Sequence, residues 1–265
     1  MTKLYLIEGL PCSGKSTTSR YVARKLEKMG KQVHFFDEGT GNHPADYEFH
    51  SFLDFQALDA LEEGLQEKVK ARSIMREGGY IVPLSAFSGK EFDTLLQYKI
   101  YDFLPWEAER PLMLAKWREF ARQAARENAV SVFNCVFLQN PMCETMMRFD
   151  FPKEESFSYI AQIHEIIRPL NPKVIYLQNE DIAASVLLAA REREGWLDGV
   201  IDYHVRGGYG MRTGAKGFNG YIACLEERQK RELDCLKMLD IPSLILSNPQ
   251  RDWVLAYQQI DRALE

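Results

Sequence analysis

Eight residues near the start of the chain, Gly9-Leu10-Pro11-Cys12-Ser13-Gly14-Lys15-Ser16, have the types and spacing needed to hold a polyphosphate. The octamer fits G-x-x-x-x-G-K-[ST], the P-loop pattern. Each type has a task there. The glycines let main-chain N–H groups turn toward phosphate oxygens, and a helix starting at this point adds about half a positive charge at its N-terminus. Lys15 reaches the β and γ phosphates, and the Ser16 hydroxyl is placed to ligate Mg²⁺. The expected phosphate-binding set is Gly9, Pro11, Cys12, Ser13, Gly14, Lys15, Ser16 and the following Thr17, with Ser16 as the metal ligand.

The pattern requires a strand before it and a helix after it, and the flanking residues supply both. The apolar run 3–8 reads as a strand ending at Gly9, and Tyr21, Val22, Leu26 and Met29 recur at helical spacing until Gly30. A second apolar run, Val33–Phe36, ends in Asp37-Glu38-Gly39 and completes a βαβ unit, which implies a parallel sheet. Further strands are expected at 80–84, 130–138, 173–177 and 243–246. Helices are expected at 54–77, 90–103, 111–127 (split from the preceding one by Pro105 and Pro111), 154–168, 181–193 and 220–239, with a last one from Arg251. Residues 206–220 hold six of the 17 glycines and read as a mobile loop. The expected fold is α/β: a three-layer P-loop NTPase sandwich, its mostly parallel sheet of five or six strands covered by helices on both faces.

Composition narrows the function classes. The 265 residues carry 33 Lys and Arg against 38 Asp and Glu, a formal charge of −5, which gives no basic excess to draw nucleic acid or anionic lipid. No apolar run approaches the ~20 residues that cross a bilayer, and the apolar run before Gly9 is shorter than the h-region expected of a signal sequence. Five cysteines stand singly with no C-x-x-C pair, as expected of reduced thiols in a cytoplasmic protein. His43 and His50 match no local zinc spacing.

A P-loop names a nucleotide and not the fate of its γ-phosphate. No NKxD or DxxG motif marks a GTPase, and no LSGGQ-like signature marks a transporter ATPase. Four segments taken together, 3–26, the acidic pair 37–38, 171–196 and 221–248, resemble the thymidylate kinase and deoxynucleoside kinase group of P-loop kinases. The resemblance covers most of the chain in order, and it implies ATP with Mg²⁺ and transfer of the γ-phosphoryl to an alcohol. It also implies a general base after the second strand, where Glu38 matches best with Asp37 beside it, and lid arginines, matched by Arg191 and Arg193. Arg206 and Arg212 follow in the glycine-rich stretch. The chain departs from the group after 130–138: where the group carries Asp-Arg or Glu-Arg-Ser, it has Gln139-Asn140-Pro141. Asp37, Glu38 or Glu144 would then replace the missing Mg²⁺ carboxylate, and Arg148 the arginine.

Residues 42–128 form the expected helical acceptor-site insertion of a single kinase-like domain, with 181–220 as lid and flap. Tyr98, Tyr101, Phe103, Trp106 and Trp117 lie in the insertion among Asp102, Glu107 and Arg118. Tyr101 and Trp106 are the expected acceptor contacts, together with Asp37, Glu38, Gln139, Asn140 and Arg148. The expected function is an ATP-dependent small-molecule kinase acting on a nucleoside- or nucleotide-like alcohol, with a homodimer left open. The alternative is an NTP-binding switch, or an ATPase without a small-molecule acceptor.

Overall fold

The computed structural model describes residues 1–265. In chain order the elements are β1 (Leu4–Gly9), α1 (Lys15–Lys28), β2 (Val33–Phe36), β3 (His50–Asp54), α2 (Phe55–Asp59), α3 (Glu63–Arg72), β4 (Ile74–Arg76), β5 (Gly79–Pro83), α4 (Gly89–Leu96) and α5 (Ile100–Phe103). They continue as α6 (Trp106–Arg126), β6 (Val130–Asn134), α7 (Gln139–Met142), α8 (Lys153–Ile167), β7 (Lys173–Gln178), α9 (Ile182–Ala190), α10 (Trp196–Val205), α11 (Gly208–Thr213), α12 (Gly217–Met238), β8 (Ser243–Ser247) and α13 (Trp253–Leu264). The chain divides into two compact units, one of residues 1–38 and 120–265, the other of residues 39–119.

The first unit is built on a five-stranded sheet in the order β2-β6-β1-β7-β8, parallel throughout. β1 therefore sits in the centre, paired to β6 on one side (Leu6 opposite Phe133) and to β7 on the other (Ile7 opposite Ile175). All six residues of β1 are buried, as a central parallel strand requires. Tyr5, Ile7, Val132, Ile175, Leu177 and Leu246 pack on one side against Val22 and Leu26 of α1 and Ile260 and Leu264 of α13. A smaller cluster joins Leu10, Ile182 and Val186 to Tyr221, Ile222 and Leu225 of α12. This strand order, with the P-loop pattern following the central strand, is that of a P-loop NTPase core.

The second unit is mixed rather than purely helical. It holds an antiparallel sheet in the order β3-β5-β4 and a core of Leu53, Leu58, Val69, Val82, Leu84 and Leu95. The apolar stripe expected as one helix over 54–77 divides into α2, α3 and β4; the Asp54 carboxylate caps α2 by accepting from the Ala57 N–H at 2.7 Å. α6 is continuous through Pro111, so Pro111 does not split it.

Two further expectations give way. The strand expected over 130–138 ends at Asn134, because Cys135 takes a left-handed φ of 63° and the N–H groups of Phe137 and Gln139 turn to the Glu8 carboxylate instead of a neighbouring strand. Val136, Phe137 and Leu138 are apolar because they are buried. The glycine-rich stretch 206–220 is not a loop but α11 and the start of α12. Its glycines make room for close backbone approach: a Cβ on Gly207 would lie 2.3 Å from the Met147 carbonyl oxygen, and one on Gly210 2.4 Å from that of Val205. All five cysteines are free thiols, and no helix is long and apolar enough to cross a membrane.

Candidate functional site

The P-loop bridges the end of β1 and the start of α1, and its two invariant glycine positions in the pattern are both used. Gly9 has φ 140°, and a Cβ there would stand 2.5 Å from the Leu177 carbonyl oxygen of β7. Gly14 caps α1 at φ 94°, and a Cβ there would meet the Trp253 ring at 2.6 Å. Cys12 adopts a left-handed φ of 65°. The Lys15 ammonium donates to the Leu10 carbonyl at 2.9 Å, and the residue is only 6% exposed, folded back over its own loop. The Ser13 and Thr18 hydroxyls are buried without a hydrogen-bond partner. Glycine cradle, lysine, helix N-terminus and orphaned hydroxyl together fit a phosphate chain.

Asp37 and Glu38 follow β2; the end of the neighbouring strand β6 reaches the first, and the start of α7 the second. Asn134 Nδ2 donates to Asp37 Oδ1 at 2.7 Å and lies 3.4 Å from Ser16 Oγ. Gln139 Nε2 donates to Glu38 Oε1 at 3.0 Å. Arg20 of α1 pairs with the other Asp37 oxygen at 2.7 Å. Behind them, the fully buried Glu8 accepts from the N–H groups of Phe137 (2.7 Å) and Gln139 (3.1 Å). Burial pushes the Glu8 carboxyl up to about 7 against the pull of those two donors. A buried ion pair is formed by Arg228, 3.1 Å from Glu232, whose second oxygen accepts the Tyr176 hydroxyl at 2.6 Å.

The other expected residues separate into those near the loop and those engaged elsewhere. The Arg193 guanidinium lies 5.5 Å over the Trp196 ring, and its charge lowers the Cys12 thiol against the larger upward push of burial, so it stands near the P-loop. Arg191 ends α9 and is exposed. Arg148 is ion-paired to Glu144 at 2.6 Å and lies over the Phe149 ring, so Glu144, one expected replacement for the metal carboxylate, is already held. Arg206 pairs with Asp202 at 2.7 Å and Arg212 with Asp150. Asn140 donates its N–H to the Cys135 carbonyl at 3.3 Å. No three His, Cys, Asp or Glu side chains converge to hold a metal. For Mg²⁺ the fit is of a different kind: the Ser16 hydroxyl and the Asp37 carboxylate meet at one donor, a hard-oxygen set that completes its shell with phosphate and water.

One component of this site has little trace in the sequence. The turn after β8 is tied to the turn after β7, with Asn248 Oδ1 accepting from the Glu180 N–H at 2.9 Å, and its Gln250 carboxamide donates to the Cys12 carbonyl of the P-loop. Trp253 then packs on Gly14. The only local signal is an Asn-Pro pair at the end of the last strand, where parallel sheets place ligands.

In the second unit, Tyr101 donates its hydroxyl to the buried Asp46, whose carboxyl is pushed up to about 6 by burial against that donation. Lys116 lies 4.9 Å over the Tyr47 ring, and burial pushes its ammonium pKa down. Burial, then the Lys116 charge, brings His43 down to about 3. Trp106 opens α6.

No protein-family model matches the sequence, and no curated protein matches it. The chain is similar in structure to two solved kinases. One is the thymidylate kinase of Ehrlichia chaffeensis, at 11% identity over 99% of this chain and 98% of that one, with a TM-score of 0.46. The other is an unliganded sugar kinase from Janibacter sp. HTCC2649, at 14% identity over 100% of this chain and 93% of that one, with a TM-score of 0.38.

Proposed function

We propose that the protein is an ATP-dependent small-molecule kinase that moves the γ-phosphoryl group to an alcohol, a nucleoside- or nucleotide-like acceptor first. One observation carries the proposal: an acidic pair, Asp37 and Glu38, is held at the carboxyl end of β2, Asp37 by the Asn134 amide that also reaches the P-loop serine and Glu38 by the Gln139 amide. A nucleotide-binding fold needs no such pair merely to bind phosphate; transfer to a hydroxyl needs an acceptor for its proton. In this proposal Lys15 and the loop N–H groups hold the phosphates, Arg193 and Arg191 close on the transferring group, and Glu38 takes the hydroxyl proton. Ser16 would hold Mg²⁺, which when bound neutralises charge on the phosphoryl oxygens. The unit of residues 39–119 would supply the acceptor pocket, Tyr101 and Trp106 included.

The test is a library of nucleosides, nucleotides and other metabolite alcohols incubated with Mg²⁺ and ATP, with phosphorylated product read by mass spectrometry. We expect one acceptor class to be labelled, and Glu38→Gln to lower kcat by about 10² to 10⁴ while ATP affinity stays within a few fold. Hydrolysis of ATP without any labelled product, at a rate that Glu38→Gln does not change, would mean an ATPase or nucleotide switch.

A further inference from the structure

Asp37 and Glu38 are neighbours in sequence, yet two different amides hold them, one at the end of β6 and one at the start of α7. Asn134, the last residue of β6 and fully buried, gives its Nδ2 to Asp37 and stands beside Ser16 Oγ, so that carboxylate is drawn toward the P-loop. Gln139 gives its Nε2 to Glu38, and its own main-chain N–H is fixed by Glu8. The surroundings differ in the same sense: the Asp37 side chain is 18% exposed and the Glu38 residue is open to solvent.

The choice of amide matters chemically. A carboxylate at position 139 would repel Glu38, and an arginine would bind it as a salt and blunt its basicity. A carboxamide, with the Cys135 thiol beside it, orients the carboxylate through neutral donors. Gln139 thus suits a base that must be aimed and kept available.

We propose that the pair is divided: Asp37 is the carboxylate that faces the nucleotide's Mg²⁺ beside Ser16, through water as this hydrated ion permits, while Glu38 faces the acceptor hydroxyl and Gln139 is the positioning residue that aims it. The half concerning Glu38 rests on the kinase proposal; the half concerning Asp37 needs only a bound nucleotide. Asp37 Oδ1 already accepts from Asn134 Nδ2 at 2.7 Å and from the Glu38 main-chain N–H at 3.1 Å, and the contact that works most against a cation there is a charged one. Arg20 holds the carboxylate's other oxygen, and its positive charge opposes the metal. Arg20 is 57% exposed, so its hold is loose, and the division requires that its removal favours the metal.

Mn²⁺ in place of Mg²⁺, with ADP, gives a readout independent of turnover: electron paramagnetic resonance measures free against bound Mn²⁺. Asp37→Asn should weaken Mn²⁺ binding to the ADP complex at least tenfold, with metal-free ADP affinity within threefold. Asn134→Leu should do the same if its melting curve shows that it folds, and Asp37→Asn carries the test if it does not. Glu38→Gln and Gln139→Leu should leave Mn²⁺ affinity within threefold, and Arg20→Ala should tighten it. In turnover with the labelled acceptor, Gln139→Leu should lower kcat ten- to a hundredfold with KM for ATP unchanged. Unchanged Mn²⁺ binding in Asp37→Asn, or an equal loss in Glu38→Gln, overturns the division. Full kcat in Gln139→Leu overturns its positioning role. If no library member is phosphorylated, the kinase proposal fails and takes the Glu38 half with it, while the Mn²⁺ measurements still decide the Asp37 half.

Discussion

Lys15 and Glu8 are the two buried charges on which the P-loop depends most directly, and each makes a separate prediction. Lys15 donates only to the carbonyl of its own loop, so Lys15→Ala gives up a hydrogen bond of about 1 kcal/mol and keeps the fold. We expect it to melt within a few degrees of the parent while ATP turnover falls at least a hundredfold. Near-normal turnover at saturating ATP would remove Lys15 from the chemistry. Glu8 is a matter of pH. Its carboxyl is raised from 4.5 to about 7 in the folded chain, chiefly by burial, so the folded state holds its proton more tightly than the unfolded state. The stability this gives is complete below pH 4.5 and is lost as pH rises through about 7. The shift corresponds to roughly 3 kcal/mol. Compared with Glu8→Gln at each pH by urea denaturation, the parent should therefore lose stability from pH 4.5 to 7.5, and parallel curves would show that Glu8 does not titrate there. The comparison is needed because His43, lowered to about 3, pulls the other way: its contribution is lost as pH falls below its unfolded value near 6.5.

At the scale of elements, the parts legible in the sequence are those with a local cause. β1, α1 and β2 stand close to their expected bounds because strand, glycine-rich turn and amphipathic helix are adjacent in the chain. The P-loop was readable for the same reason. What was not readable depends on distant partners. Val136, Phe137 and Leu138 read as strand, since apolarity alone does not distinguish a ladder from a buried turn; Glu8, far away in the chain, decides the matter. The link from Gln139 to Glu38 was hidden likewise, because an amide in place of a carboxylate reads as a loss until its partner is seen. The glycines of 206–220 read as freedom, and several are there for contact. This last point can be measured. Gly207→Ala pushes a Cβ against the Met147 carbonyl and should cost about 1–3 kcal/mol, the range for overpacking. Gly199, inside α10, has nothing within 4 Å of where its Cβ would be, and Gly199→Ala should stabilise by about 0.5–1 kcal/mol through helix propensity. Equal effects of the two substitutions in chemical denaturation would mean that 206–220 is held no more tightly than an exposed helix.

For the whole molecule, the proposed division of labour follows the division of the chain. Every group proposed to touch phosphate or metal, from Gly9 to Ser16 with Asp37, Arg191 and Arg193, belongs to the unit of residues 1–38 and 120–265. The unit of residues 39–119 contains no phosphate-binding loop, but it concentrates groups whose ordinary charge is disfavoured by burial: Asp46 raised, His43 and Lys116 lowered. Burying such groups costs stability that partners offset, as Tyr101 does for Asp46 and the Ala45 N–H for His43, and a ligand is a further kind of partner. If this unit holds the acceptor, its substitutions should alter one substrate and not the other. Lys116→Met keeps most of the apolar stem over Tyr47 and removes the ammonium, so packing is largely retained. We expect KM for the acceptor to rise at least tenfold, with ATP affinity within twofold and kcat at saturating acceptor reduced far less than in Glu38→Gln. Tyr101→Phe, which removes the hydroxyl given to Asp46, should shift acceptor KM in the same direction, again with ATP affinity kept. ATP affinity lost together with acceptor affinity in both variants would show that the two units do not divide the substrates between them.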